Sequence, residues 1–108
     1  MIHTRFLFVL LFVFVSDVTL SAVQAAETKA PDLTLGKESF ARVCGQCHGA
    51  DALGGEGPPL IPLPFEESLI MVLVRSGQGR MPALPDELIK DDEVAAVLAY
   101  LATLNVNR

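Results

Sequence analysis

Cys44-Gly45-Gln46-Cys47-His48 decides how the rest of the chain is read. Two cysteines three residues apart, with a histidine directly after the second, form the C-x-x-C-H pattern for covalent haem attachment. Each thiol adds across one vinyl group of a porphyrin, and the two-residue gap lets one short turn reach both. The imidazole next in the chain then falls beneath the ring plane, where it can bind iron as the proximal ligand. Its other ring nitrogen needs an acceptor to fix the tautomer and orient the ring. Three other chemistries use similar residues. A thioredoxin-like redox pair needs a βαβ setting, and no alternating strand pattern flanks this stretch. A zinc site needs four ligands, yet these are the only two cysteines and the remaining histidine, His3, lies in the N-terminal leader. A carboxylate or a partner would have to complete it. A structural disulfide would leave His48 with no role.

The chain of 108 residues carries a formal charge of −5, which suits one small domain. Its 51% apolar content is inflated by the beginning of the chain. Arg5 precedes an apolar run from Phe6 to Val15, broken by Ser16, Asp17 and Thr19, and Val23-Gln24-Ala25 offers the spacing that signal peptidase reads. We expect residues 1–25 to be a secretory signal cleaved after Ala25, and 26–108 to be a single domain. An uncleaved anchor is the alternative, but ten apolar residues are short for a membrane span and Asp17 interrupts its continuation. The expected location is the periplasm, an oxidising compartment compatible with haem attachment. Arg5 and Asp17 leave together, so the mature charge is unchanged. That acidity argues against nucleic acid or anionic membrane as partners; contact with a membrane is expected only through other proteins. A domain of about 83 residues seldom holds together on its apolar core alone, and a covalently held haem would give it a flat apolar surface to fold around.

Past the loose stretch Glu27 to Asp32, Thr34 is the expected cap of a first helix. Gly36, Phe40 and Val43 then recur at helical spacing up to Cys44. Glycine inside a helix costs about 1 kcal/mol against alanine, so Gly36 either admits a neighbouring backbone or merely weakens a short helix. Residues 49–64 form a loop rich in glycine and proline, with no strand before it and no phosphate-binding pattern within it. Pro58 has no N–H but can offer its carbonyl to His48. Leu69 to Val74 is read as helix rather than strand. Pro64 suits a first turn, Glu66 and Glu67 an N-terminus, and Arg75 with Gly77 a C-terminus. Met71 within it reads as core filling. Met81, by contrast, sits in Gly77-Gln78-Gly79-Arg80-Met81-Pro82, irregular backbone where a methionine has no packing role. Its soft sulfur can serve as the second axial ligand of a haem iron. A last helix opens at Asp91. Val94, Val97, Leu98, Leu101 and Leu104 form its apolar stripe, and Ala95, Ala96, Ala99 and Ala102 allow another helix close. Asn105 to Arg108 is expected to fray.

From Gly36 to Leu104 the chain resembles a class I c-type cytochrome with a single haem. The matching residues are Gly36 with Phe40, Cys44-x-x-Cys47-His48-Gly49, Gly57-Pro58-x-Leu60, Gly79-x-Met81-Pro82 and Tyr100-Leu101. The resemblance implies an all-α fold, three main helices wrapped around one covalently bound haem, with the terminal helices crossing over Gly36, Phe40 and Tyr100. It implies thioether attachment at Cys44 and Cys47, His48 and Met81 as iron ligands, and the Pro58 carbonyl as acceptor for His48. Arg75 and Arg80 would approach the haem propionates, or else simply face solvent. The expected function is that of a periplasmic one-electron carrier and not an enzyme. Its partners would be redox proteins: a periplasmic dehydrogenase or cytochrome complex as donor, an oxidase or reductase as acceptor. Pro59 to Phe65 is a possible docking patch. Two other roles stay open, a haem-c subunit of a larger dehydrogenase or oxidase complex, and a haem enzyme or gas sensor in which Met81 dissociates.

Overall fold

The structure is a computed structural model that describes residues 29–106; the leader assigned to residues 1–25 lies outside them. Among the described residues the regular elements are helices, with one isolated bridge between Gln78 and Met81 and no strand. The fold is all-α, as expected. In chain order the elements are α1 (Leu33–Ser39), a π-helical turn (Phe40–Cys44), α2 (Gly45–His48), α3 (Glu67–Ser76) and α4 (Asp91–Val106).

Asp32, not Thr34, caps α1. Its carboxylate accepts from the N–H groups of Thr34 and Leu35, each at 3.0 Å. A carboxylate satisfies these donors and also complements the positive end of the helix, which a hydroxyl does not. The helix then widens: the Gly45 N–H bonds back to the Phe40 carbonyl, five residues earlier. One residue inserted this way rotates the downstream side chains by roughly 100° relative to the preceding turns. The two halves therefore present different faces. Gly36, Ser39 and Phe40 are buried toward α4, while Val43, Cys44, Cys47 and His48 face a cavity.

The crossing of α1 and α4 explains Gly36. A Cβ there would lie 2.6 Å from the carbonyl carbon of Ala96 and 3.0 Å from the Tyr100 Cβ, so only glycine fits. Phe40 and Tyr100 pack beside it with ring centroids 6.0 Å apart at 51°. Ala102 is exposed and takes no part, contrary to the expected small-residue face. α4 buries Val94, Ala96, Val97, Leu98 and Leu101, so it is apolar on two sides: one against α1, one against the cavity. Asp91, expected as its cap, is instead its first residue, so the helix begins one position earlier than expected. Lys90 precedes it, and its N–H donates to Glu93 Oε2 at 2.8 Å, half of a capping box. The helix includes Asn105 and Val106, where fraying is the expectation, with Leu104 packed on the core; residues 107–108 of that expectation lie outside the described residues.

α3 begins at Glu67, with extended Glu66 before it, so Pro64 is not in its first turn. Pro64 and Phe65 stay in the loop and line the cavity. The C-terminus is where the sequence put it. Gly77 has φ +73 and its N–H bonds to Leu73 O at 2.8 Å. The core joins Phe40, Ala52, Ile61, Ile89, Val94, Val97 and Leu101, with Met71 partly buried against it, in keeping with a filling role. Ile61 is only 8% exposed, so the stretch Pro59 to Phe65 is not a continuous surface patch.

Candidate functional site

The loop from Gly49 to Pro64 is bound to the end of α2, from which it emerges. Gly57 N–H donates to the Cys47 carbonyl and Gly54 N–H to the His48 carbonyl, each at 2.8 Å. The last carbonyls of α2 thus find partners in the loop. Gly57 lies so close that a Cβ on it would be 3.0 Å from both Nδ1 and Cε1 of His48. The ring is held from the other side too: His48 Nδ1 is 2.7 Å from the Pro58 carbonyl oxygen. A carbonyl only accepts, so Nδ1 carries the proton and donates it. Nε2 is left as the unprotonated nitrogen with a free lone pair. His48 is 8% exposed. Burial and this hydrogen bond fix both its tautomer and its plane, as a metal-binding imidazole requires.

Met81 arrives from a different segment, the connection that follows α3. Gly77 turns the chain out of α3, and Gln78 and Met81 then exchange backbone hydrogen bonds, Gln78 N–H to Met81 O at 3.0 Å and Met81 N–H to Gln78 O at 2.9 Å. Leu84 N–H closes the loop onto Val74 O at 2.8 Å.

Between these segments lies a cavity of about 460 Å³. Cys44, Cys47, His48, Pro58 and Met81 all line it, together with Leu60 and Leu63 of the loop, Ile70, Leu73 and Val74 of α3, and the inner stripe of α4. No lining residue is charged, and the only titratable side chains in the lining are the two thiols and the imidazole. The residues fit a haem: an apolar chamber, two thiols on one turn, one imidazole with a free nitrogen and one thioether. Burial pushes the Cys44 thiol up to about 11, against the opposing pull of Arg42. The position therefore favours an uncharged sulfur, which a thioether is. Among the described residues no group of three or more His, Cys, Asp or Glu side chains could hold a metal ion, so nothing there completes a zinc site.

Arg75 and Arg80 do not line the cavity. Arg75 instead binds Asp91, Asp86 and the carbonyls of Leu84 and Ile89, and Arg80 is exposed. Sequence reasoning missed Gln78, Leu84 and Ile89 in the cavity wall. It also missed a clamp in which Arg42 bonds the Leu88 carbonyl at 2.8 Å and Glu93 at 2.7 Å. Ser39 Oγ donates to the same carboxylate at 3.2 Å. A hydrogen bond from the Lys90 backbone holds the Glu93 carboxyl below the usual range; burial opposes it, and the hydrogen bonds from Ser39 and Arg42 and the charge of Arg42 add to the lowering. Only the apolar Leu88-Ile89 pair ahead of α4 signalled that the chain turns inward there.

The model of the family described as cytochrome c oxidase, cbb3-type, subunit III matches residues 31–101. The 4-cresol dehydrogenase (hydroxylating) cytochrome c subunit of Pseudomonas putida is 36% identical over 69 residues, which cover 64% of this chain and 59% of that protein. The chain thus spans about three fifths of the length of the curated relative it matches. No solved structure matches.

Proposed function

The chain belongs to the family of cytochrome c oxidase, cbb3-type, subunit III, a c-type cytochrome that transfers electrons, and on that footing we propose that it is a periplasmic one-electron carrier with a single haem c. Residues 1–25 act as the export signal, and residues 26–108 form the carrier domain. When bound, the haem supplies a ferric/ferrous couple that takes and gives one electron. Cys44 and Cys47 would hold it covalently, His48 Nε2 and the Met81 sulfur would bind its iron, and the Pro58 carbonyl keeps His48 oriented. The observation that carries this reading is the meeting of all five residues on one uncharged cavity. The apolar walls from α3 and α4 exclude water, and the close-packed crossing at Gly36 leaves little room for rearrangement between oxidation states. No acid or base lines the wall near Met81, which favours a carrier over a haem enzyme or gas sensor.

A second reading, a haem-c subunit of a larger dehydrogenase complex, has an observation of its own. Leu69 and Val72 are 44% and 58% exposed and lie three residues apart on α3, outside the cavity lining, an apolar stripe suited to a permanent partner. The Pseudomonas putida relative is itself a cytochrome subunit of a dehydrogenase. Under either reading the partners are redox proteins: a dehydrogenase or cytochrome complex as donor, an oxidase or reductase as acceptor.

The test is a visible spectrum of the protein exported by a host that attaches haem. A c-type spectrum retained after acid-acetone extraction, with the weak far-red sulfur-to-iron band in the oxidised form, is expected. Colourless protein would overturn the proposal, and so would oxidised iron lacking that band. Gel filtration of the native material then separates a free carrier from a subunit that co-elutes with a catalytic partner.

A further inference from the structure

We propose that Arg75 is the positioning residue for Met81: it straps the segment carrying Met81 to the end of α3 and so holds the thioether in the cavity. The inference rests on the reading of Met81 as an iron ligand.

Arg75 lies in the last turn of α3, outside the cavity wall, yet its guanidinium makes no bond to its own helix. Nε donates to Asp91 Oδ1 at 3.0 Å, and one terminal nitrogen donates to both the Leu84 and the Ile89 carbonyls, each at 2.8 Å. The other reaches Asp91 Oδ1 and, at 3.5 Å, Asp86 Oδ1. Its donors are thus distributed over residues 84–91, the second half of the connection that carries Met81. The first half is held by the Gly77 N–H on Leu73 and by the paired bonds between Gln78 and Met81. Leu84 is the junction. Its N–H bonds to the Val74 carbonyl and its own carbonyl accepts from Arg75, so both backbone groups are tied to consecutive residues of α3. Residues 77–84 form a closed loop whose two ends meet on one helical turn, and Met81 projects from it.

The fork geometry matters. A lysine has three donors on one point and cannot serve two carbonyls and two carboxylates lying in different directions. Without the guanidinium the Leu84 and Ile89 carbonyls lose a partner, and the loop is free to swing with Leu84 as its hinge. An outside ligand competes with the sulfur in proportion to the fraction of molecules with the loop displaced. Raising that fraction about tenfold corresponds to about 1.4 kcal/mol.

The experiment titrates imidazole into the oxidised haem-loaded protein, with the far-red sulfur-to-iron band recorded in parallel, for wild type, Arg75→Gln and Arg75→Lys. Tyr100→Leu, at the α1–α4 crossing, controls for lost stability. Arg75→Gln is expected to bind imidazole about tenfold more tightly and to lose the band at temperatures where its helices are intact. Arg75→Lys should fall between it and wild type, whereas Tyr100→Leu should melt earlier with unchanged imidazole affinity. If the Arg75 variants only melt earlier and bind imidazole as wild type does, Arg75 is a strut with no hold on Met81 and the inference fails. Should Arg75→Gln not accumulate as folded protein, Arg75→Lys decides by the same comparison. Absence of the band in wild type itself would remove Met81 as ligand, and the inference with it.

Discussion

Replacing Gly36 by alanine sets two effects of opposite sign against each other, and the structure says which wins. Gly36 is helical, so alanine gains about 1 kcal/mol in intrinsic propensity. Its Cβ, however, would sit 2.6 Å from the Ala96 carbonyl carbon, when carbon atoms pack at about 3.5–4.0 Å. The deficit is roughly 1 Å, and the obstacle is backbone inside α4, which cannot rotate out of the way. The helices must separate where Phe40 and Tyr100 interlock, and overpacking of this kind costs about 1–3 kcal/mol or more. Because the obstacle is backbone, the upper end of that range applies and a net loss of about 2 kcal/mol remains, equivalent to about 8–16 °C in Tm for a domain of this size. Gly45 is the internal control. It is also helical, but a Cβ there meets the Phe40 side chain at 3.4 Å, an ordinary contact, so Gly45→Ala should be neutral or should gain up to about 1 kcal/mol. Thermal melts of the haem-loaded variants followed by far-ultraviolet circular dichroism compare the two. If Gly36→Ala melts at or above wild type, the helix crossing is looser than described and the argument from close approach is wrong.

Met81→Ala should lower the reduction potential by on the order of 0.1 V, since axial ligand choice spans about 0.8 V, and should let imidazole or cyanide bind the oxidised protein readily; potentiometric and ligand titrations check both, and unchanged values would exclude Met81 as a ligand. Cys44→Ala/Cys47→Ala should leave a largely unfolded chain, because a small domain built around a cavity of about 460 Å³ retains too little core without its occupant; a colourless double variant with a cooperative melt would contradict this. The depressed Glu93 carboxyl gives a pH dependence of definite sign. Its stabilisation is complete above the unfolded-state value of about 4.3 and is lost as pH falls through the lower folded-state value. Tm curves of wild type and Glu93→Gln should therefore converge as pH drops through that window, and a constant gap down to the lowest pH would refute the assignment.

The features legible in the sequence are those that chemistry writes into neighbouring residues. C-x-x-C-H needs one turn of chain, and Met81 announces itself because glycine and proline on either side deny it a packing role. Pro58 is implied by the need of His48 for an acceptor nearby. Helix existence is readable from apolar periodicity, but starts are off by one to three residues, because several capping side chains stand near each boundary and only the backbone path selects among them. Asp32 over Thr34 is such a choice, and Lys90 ahead of Asp91 another. The π-helical turn left no trace: its five residues are too few to show a change of period, although it turns the cysteines and His48 toward the cavity while Phe40 faces α4.

Arg75 is the most instructive residue, because the structure shows partners for it that the sequence did not. The resemblance invites pairing of a basic residue here with the cofactor's carboxylates, with exposure to solvent as the alternative, and neither foresees the partners it has in the protein. The deciding facts are long-range: carbonyls of Leu84 and Ile89 turned inward, and Asp91 placed at the head of α4. A buried or half-buried carbonyl without a partner is costly, and the connection between α3 and α4 has no regular structure to satisfy its own. A multidonor side chain from outside the connection meets that need, and an arginine on the last turn of α3 is the nearest able to reach across it. The same logic explains the Arg42–Glu93–Ser39 clamp. In a chain this small, with an uncharged cavity at its centre, the few charged side chains that turn inward hold irregular backbone in place.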